Sequence, residues 1–193
     1  MCSKVRVLNV VVSGTLGVEL NLNAVAKAFP RNAIYRQKPF PCLVFRFKNP
    51  KVTILLFRDG KLVCVRAKSK GEAMRSVWRV VELLRSMGVE VGKPKVAVRN
   101  IVASADLGSQ VDLIGLCERA KIPASKLFYE PEQFPSAVYR MENPHVTFVI
   151  FRSGKVICCG AKKTREIHEA FKKFNWLLKE KEVVRCDTKG KTV

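Results

Sequence analysis

Apolar residues recur at helical spacing in two long stretches. The first carries Ala73, Val77, Val80, Val81 and Leu84. Ser69-x-x-Glu72 before it has the form of a capping box, and Gly88 after it suits a helix stop. The second follows Thr164 and puts Ile167, Ala170, Phe171, Phe174, Leu177 and Leu178 on one face. Shorter helices fit residues 21–29 and 110–120, with Leu22, Val25, Leu113 and Leu116 as core. Strands fit 4–12, 42–48, 52–58 and 61–67, and again 96–104, 136–142, 146–152 and 155–161. Arg58-Asp59-Gly60-Lys61 and Arg152-Ser153-Gly154-Lys155 read as hairpin turns, which makes the sheet antiparallel.

The strand pattern has an anomaly. A sheet covered by helices on one side alternates apolar and polar positions. Here Leu55 and Phe57 fall on one parity while Ile54 and Leu56 fall on the other. Val149 and Phe151 stand against Phe148 and Ile150 in the same way, and Val63, Val65, Ile157 and Cys159 continue the pattern. Helices can cover only one of these faces. The other is apolar and uncovered, which marks an interaction surface.

The chain also repeats itself. Residues 49–68 match 143–162 at eleven of twenty positions, at an offset of 94. Residues 9–17 match 100–108 at an offset of 91, so three extra residues fall between Gly108 and Phe134 in the second copy. Phe40 aligns with Phe134 and Arg46 with Arg140. Two copies are too few for a solenoid and predict a pseudo-two-fold pair. The expected boundaries are 1–93 and 94–184, with a disordered basic tail over 185–193.

Charge narrows the ligand. The 193 residues hold 36 Lys and Arg against 16 Asp and Glu, a net +20, which points to a polyanion. Residues 1–94 carry 18 basic and 5 acidic side chains, and residues 95–193 carry 18 and 11. No apolar run has the length of a membrane span, and the opening residues show neither signal nor transit peptide. Seven Cys without a CxxC pair read as reduced thiols, and His145 and His168 are too isolated for a metal centre. No cofactor is expected. Neither paired carboxylates nor a Ser/His/Asp or Cys/His set stands out, so an enzyme is the least favoured class.

An apolar face on a basic protein suits a nucleic-acid minor groove, whose walls are sugars and whose rim is phosphate. Phe40, Phe57, Phe134 and Phe151 then read as wedges between base steps, since they sit at equivalent places in both repeats.

These features resemble the TATA-box binding protein family over about residues 4–184. The matching motifs are Asn9-x-Val11, Asn100-x-Val102, Phe57-x-x-Gly60-Lys61, Phe151-x-x-Gly154-Lys155, Ala67-Lys68, Gly160-Ala161-Lys162 and Tyr129-Glu130-Pro131-Glu132. The resemblance implies an α+β fold: a pseudo-two-fold saddle of two tandem repeats, with a curved ten-stranded antiparallel sheet and four helices on its convex face. It implies a general transcription initiation factor that binds the minor groove of TATA-like promoter DNA and kinks it by Phe insertion, the behaviour for which the family is known. By position, Asn9 and Asn100 would donate to acceptors of the central base pairs. Val11, Val102, Leu55, Val149, Val63 and Ile157 would line the groove floor. Arg46, Arg140, Lys61, Lys155, Lys68 and Lys162 would hold phosphates. Tyr129, Glu130 and Glu132 would dock transcription factor IIB. Arg75 and Arg79, with Arg85 nearby, would meet acidic regulators such as transcription factor IIA, within the RNA polymerase machinery of a nucleus.

The chain departs from the family at several places. Val65 and Cys159 replace the usual Thr, which removes hydroxyl donors at the centre of the site. Arg66 replaces a Gly, and strand parity predicts that it faces the helix side. Pro39 and Pro41 flank Phe40 and predict a stiffer first wedge. Two alternatives stay open: a paralogue with relaxed DNA specificity that works through protein partners, and a single-stranded-RNA-binding sheet protein.

Overall fold

A computed structural model describes residues 4–185. The chain divides into two compact units, one of Leu8–Asn100 and one of Ile101–Val193 together with Val7 and the residues before it.

In the first sequence repeat, β1 (Arg6–Thr15) is followed by α1 (Leu22–Ala28), β2 (Ala33–Arg36), β3 (Cys42–Arg46), β4 (Thr53–Leu56), β5 (Lys61–Ala67) and α2 (Lys70–Ser86). The second repeats the plan with β6 (Lys95–Asp106), β7 (Gln110–Val111), α3 (Leu113–Arg119), β8 (Leu127–Tyr129), β9 (Ser136–Met141), β10 (Val146–Phe151), β11 (Lys155–Ala161), α4 (Thr164–Glu180) and β12 (Val184–Arg185). Strand order is β2-β3-β4-β5-β1 in the first repeat and β6-β11-β10-β9-β8 in the second. Among the described residues each repeat thus has a five-stranded antiparallel run and two helices, the elements the resemblance implies.

The sequence pattern misses the short strands β2 and β8 and the ribbon of β7 with β12. Residues 110–111, expected to be helical, pair with Arg185 and Val184, and α3 starts only after Asp112. Asp112 caps α3 by accepting from the Gly115 N–H, as Asn21 caps α1 through Ala24. Residues 186–193 of the expected tail, with Cys186, and Cys2 at the other end lie outside the described residues.

The caps locate the three-residue insertion. Asn21 and Asp112 keep the offset of 91. Arg46 N–H donates to Asn32 O and Arg140 N–H to Lys126 O, which already obey 94. The extra residues therefore lie between Ala120 and Lys126, where Lys121 turns through φ 53°.

Both long helices bury the face their periodicity predicts. In α2, Ala73, Val77, Val80, Val81 and Leu84 are buried against the side of the sheet that holds Ile54, Leu56, Leu62 and Cys64. In α4, Ile167, Ala170, Phe171, Phe174 and Leu178 are buried, while Leu177 is only half-buried. Phe148 stacks on Phe174 at 4.5 Å between ring centroids and meets Phe171 edge-on at 5.3 Å. Repeat two thus fills with aromatic rings the core that repeat one fills with Ile54, Val77 and Val80. Ser69 starts α2 as expected, accepting from the Glu72 N–H, and Gly88 stops it at φ 82°. The Glu72 carboxylate reaches back one residue further than a capping box requires, to the Lys68 N–H. In α4 the helix begins at Thr164, and the Glu166 carboxylate accepts from the Lys162 and Lys163 N–H groups.

Candidate nucleic-acid interface

The face opposite the helices is largely apolar and, apart from the buried Val44, only half-buried or exposed in both repeats. In repeat one, Ile34, Val44, Leu55, Val63 and Ser13 form one cross-strand row. In repeat two, Phe128, Val138, Val149, Ile157 and Ser104 form the equivalent row. Every alternate residue of β4, β5, β10 and β11 is buried toward the helices, while Leu55, Val63, Val65, Val149, Ile157 and Cys159 stay partly exposed. Val11 and Val102 join them from β1 and β6. Ile34 is 53% exposed. The anomaly in the strand pattern is thus a real uncovered surface.

The four Phe flank these rows. Phe57 and Phe151 open the hairpin turns, where Gly60 N–H donates to Phe57 O and Gly154 N–H to Phe151 O. The turns therefore begin one residue earlier than the sequence suggested, which leaves each ring at its strand end. Gly60 has φ 75°, and a Cβ there would lie 2.2 Å from Val18 O, so no other residue fits. Gly154 is the same, 2.2 Å from Ser109 O. Phe134 packs edge-on to Phe151 at 6.5 Å between centroids. Phe40 and Phe134 are 76% and 50% exposed, far beyond what core residues of this size show. Phe40 lies between Pro39, which follows a cis bond, and Pro41.

The next row is Arg46, Thr53 and Val65 in repeat one, and Arg140, Thr147 and Cys159 in repeat two. Thr53 and Thr147 are half-buried open-face hydroxyls that the sequence reading missed. Their shared parity with Leu55 and Val149 was the available signal. The Cys159 thiol donates to Thr147 O at 3.7 Å, so its weak donor is already used within the protein.

Asn9 is oriented by the backbone. Its Oδ1 accepts the Arg66 N–H at 2.7 Å. A backbone N–H can only meet the oxygen of the amide, so the Asn9 NH₂ points away from Arg66 with two donors. This corrects the expectation for Arg66. A β-bulge places Val65 and Arg66 together opposite Val11: Val10 pairs with Ala67, but Val12 pairs with Cys64. The extra residue breaks parity, and Arg66 is exposed at φ 72° instead of facing the helices. Repeat two has the same bulge, with Cys158 opposite Ala103 and Ala161 opposite Ile101. There the left-handed position is Gly160, at φ 108°.

The cations differ in how free they are. Lys61 Nζ lies 2.6 Å from Asp59, and that contact holds the Asp59 carboxyl below its usual range. Lys155 has Ser153 in the place of Asp59. Lys68 and Lys162 are exposed, side by side with the caps of α2 and α4. The Arg140 guanidinium lies over the Phe128 ring at 5.3 Å and donates to Ser125 O.

The residues assigned to partners lie elsewhere. Tyr129 ends β8 and lines a cleft with Gln110, Leu113, Ile114 and Arg152. Glu130 and Glu132 are exposed in the turn that follows, where Gln133 N–H and Phe134 N–H donate to Glu130 O. Arg75 is exposed on α2. Arg79 is tied down, with its guanidinium over Phe47 at 4.9 Å and a bond to Asn49 O, and Arg85 is tied to Val91 O. Burial pushes the thiols of Cys64 and Cys158 up to about 12, so both are inert core groups. Among the described residues, no three His, Cys, Asp or Glu gather as a metal-binding group.

Comparison with known proteins fits this geometry. The family model described as transcription factor TFIID, or TATA-binding protein, matches residues 4–87 and 95–181. A TATA-box-binding protein of Sulfurisphaera tokodaii is 43% identical over 171 residues, covering 88% of this chain and 84% of its own. One from Methanococcus aeolicus is 41% identical over 185 residues, covering 94% and 98%. A solved structure titled Methanococcus jannaschii TBP superposes with a TM-score of 0.81 at 38% identity, over 92% of this chain and 99% of that one.

Proposed function

The chain belongs to the TATA-binding protein family, and from that premise we propose that it is a general transcription initiation factor. It binds the minor groove of TATA-like, A·T-rich promoter DNA, kinks it, and nucleates assembly of the initiation complex. The observation that carries this reading is the pair of matching apolar rows, each flanked by two Phe, on the uncovered face.

In this reading Phe40 and Phe57, and Phe134 and Phe151, wedge between base steps. Asn9 and Asn100 donate to A N3 and T O2. Val11, Leu55, Val63 and Val65, with Val102, Val149, Ile157 and Cys159, press on the groove floor. A guanine amino group there would meet carbon and lose its hydrogen bonds, which favours A·T pairs. Arg46, Arg140, Lys61, Lys155, Lys68 and Lys162 contact phosphates. No catalytic chemistry is assigned.

The decisive experiment titrates a TATA duplex, its G·C-substituted counterpart and a single strand across salt concentrations, with a bend-sensitive fluorescence readout. Preference for the TATA duplex with a large bend is expected. Equal, unbent, steeply salt-dependent binding to all three would overturn the reading. A second reading, relaxed sequence preference with action mainly through protein partners, draws on Val65 and the engaged thiol of Cys159. The same titration would report it as weak discrimination with retained bending.

The exposed acidic turn at Tyr129, Glu130 and Glu132 is the proposed dock for transcription factor IIB. Arg75 is the better candidate for transcription factor IIA than Arg79, whose guanidinium is already engaged. Charge reversal at each, scored by pull-down with the purified factor, tests both. No helix of the described residues is long and apolar enough to cross a membrane. The proposed compartment is the nucleus, as the resemblance implies. The named relatives come from archaea, which have none, so immunofluorescence in the source cell decides it.

A further inference from the structure

We infer that Arg66 completes a phosphate-binding cleft present in the first repeat alone, and that this cleft grips the DNA backbone beside the repeat-one half of the site. The inference rests on the minor-groove reading above.

A cleft of about 540 Å³ opens at the edge of the uncovered face, where β3 turns into β4. Five cations line it: Arg31, Arg46, Lys48, Lys51 and Arg66. No acidic side chain lines it, and among the described residues none of the five forms an ion pair. Five like charges around one concavity repel each other unless an anion enters. Thr53 and Arg46 belong to the row next to the groove floor, so an anion in the cleft lies beside a duplex seated on that floor. This favours backbone phosphates as the occupant over a free phosphate compound.

The equivalent positions of the second repeat carry much less charge. By the offset of 94, Arg31, Asn32, Arg46, Lys48, Lys51 and Arg66 become Ser125, Lys126, Arg140, Glu142, His145 and Gly160. With His neutral, the net charge falls from +5 to +1. Lys126 is moreover paired with Glu142 at 2.8 Å, and Arg140 lies over Phe128.

Arg66 is the added element. The bulge requires a left-handed residue, and Gly160 meets that need without strain. Arg66 meets it at φ 72°, where a side chain is unfavourable. Its N–H orients Asn9 equally well with any residue present, so the backbone gains nothing from the side chain. What the side chain adds is a guanidinium in the cleft.

The consequence is polarity. Two matching apolar rows read a TATA element almost equally in both directions. A phosphate grip in one repeat favours one of them.

The test compares wild type with Arg66→Gly and Arg66→Lys. Arg66→Gly should melt higher, since the strained residue is gone. Its affinity for the TATA duplex should nevertheless fall several-fold, and its log–log salt slope should be shallower by about 0.9, the value of one phosphate contact. Arg66→Lys should keep the wild-type slope. Replacing one flanking phosphate by a neutral methylphosphonate should weaken wild type at one end of the TATA element only, and should leave Arg66→Gly indifferent at both. Unchanged affinity and slope in Arg66→Gly, with TATA preference intact, would overturn the cleft while sparing the minor-groove reading. Loss of TATA preference in wild type would overturn both. Pyrophosphate raising the melting temperature of wild type but not of Arg66→Gly, without any methylphosphonate effect, would assign the cleft to a free phosphate compound and overturn the DNA assignment.

Discussion

Asn9→Asp separates folding from base reading at one atom. The amide oxygen of Asn9 holds the Arg66 N–H at 2.7 Å, and its NH₂ group is what remains for DNA. Aspartate has the same shape and keeps an oxygen for Arg66, now in a charge-assisted bond. The bulge should survive and the melting temperature should stay within about 2 °C, less than one kcal/mol in a chain of this size. The DNA side loses both donors, at about 1 kcal/mol each. In their place a carboxylate oxygen meets the acceptor atoms A N3 and T O2, inside a field of phosphates. The total should reach at least about 3 kcal/mol, or roughly 100-fold in the dissociation constant at 1.4 kcal/mol per decade. Asn9→Ala gives the contrast, because it loses the bond to Arg66 as well. It should cost about 1 kcal/mol of stability, or about 3 °C, beside its binding defect. The assays are a thermal melt and fluorescence anisotropy on a TATA duplex. Asn9→Asp binding within threefold of wild type, at an unchanged melting temperature, would refute the role of the amide donors.

Three further outcomes follow from the geometry. Phe40→Ala should leave the melting temperature unchanged, because the ring is 76% exposed, yet reduce the bend in a fluorescence-transfer assay; an unaltered bend would remove Phe40 from the wedge set. Gly60→Ala should destabilise by at least about 3 kcal/mol, from left-handed strain and a Cβ at 2.2 Å from Val18 O, and lower the melting temperature by about 10 °C; Gly88→Ala, with open space around it, should cost clearly less. The Glu166 carboxyl is held below its usual value of 4.5 by the Lys162 and Lys163 N–H groups. A lowered carboxyl stabilises the fold above 4.5 and loses that contribution as pH falls below it. Melts from pH 7 to pH 3 should therefore drop less steeply below 4.5 for Glu166→Gln than for wild type.

Much of this molecule is legible in its sequence because its signals are local and said twice. The faces of α2 and α4, the strands β5 and β11 at both ends, and the uncovered parity of Leu55 and Val149 all follow from spacing alone. The short strands β2 and β8 do not. Ala33–Arg36 and Leu127–Tyr129 are too short to show alternation, and they are strands because β3 and β9 offer them a pairing edge. The ribbon of β7 and β12 joins residues more than seventy positions apart, a contact that no local window contains.

Arg66 shows where parity itself fails. Counting along β5 from Cys64 toward the helices gives Val65 outward, Arg66 inward and Ala67 outward. The bulge adds one residue to the strand without adding one to β1, so Ala67 returns to the buried side and Arg66 is left between faces. A period of two cannot detect this, because the error is one residue in phase. The repeat could have. Gly160 stands at the same place in a copy with the same strand pairing, and a lone glycine inside a strand signals a bulge or a left-handed turn. Repeat two shows the backbone with a glycine in the left-handed position, and repeat one places a guanidinium on that same backbone. The same logic applies to Asp59 against Ser153 and Lys48 against Glu142. Where a duplicated chain keeps the backbone and changes the charge, the difference lies in what each half holds, and here the cleft of the first repeat is more positive than the equivalent positions of the second.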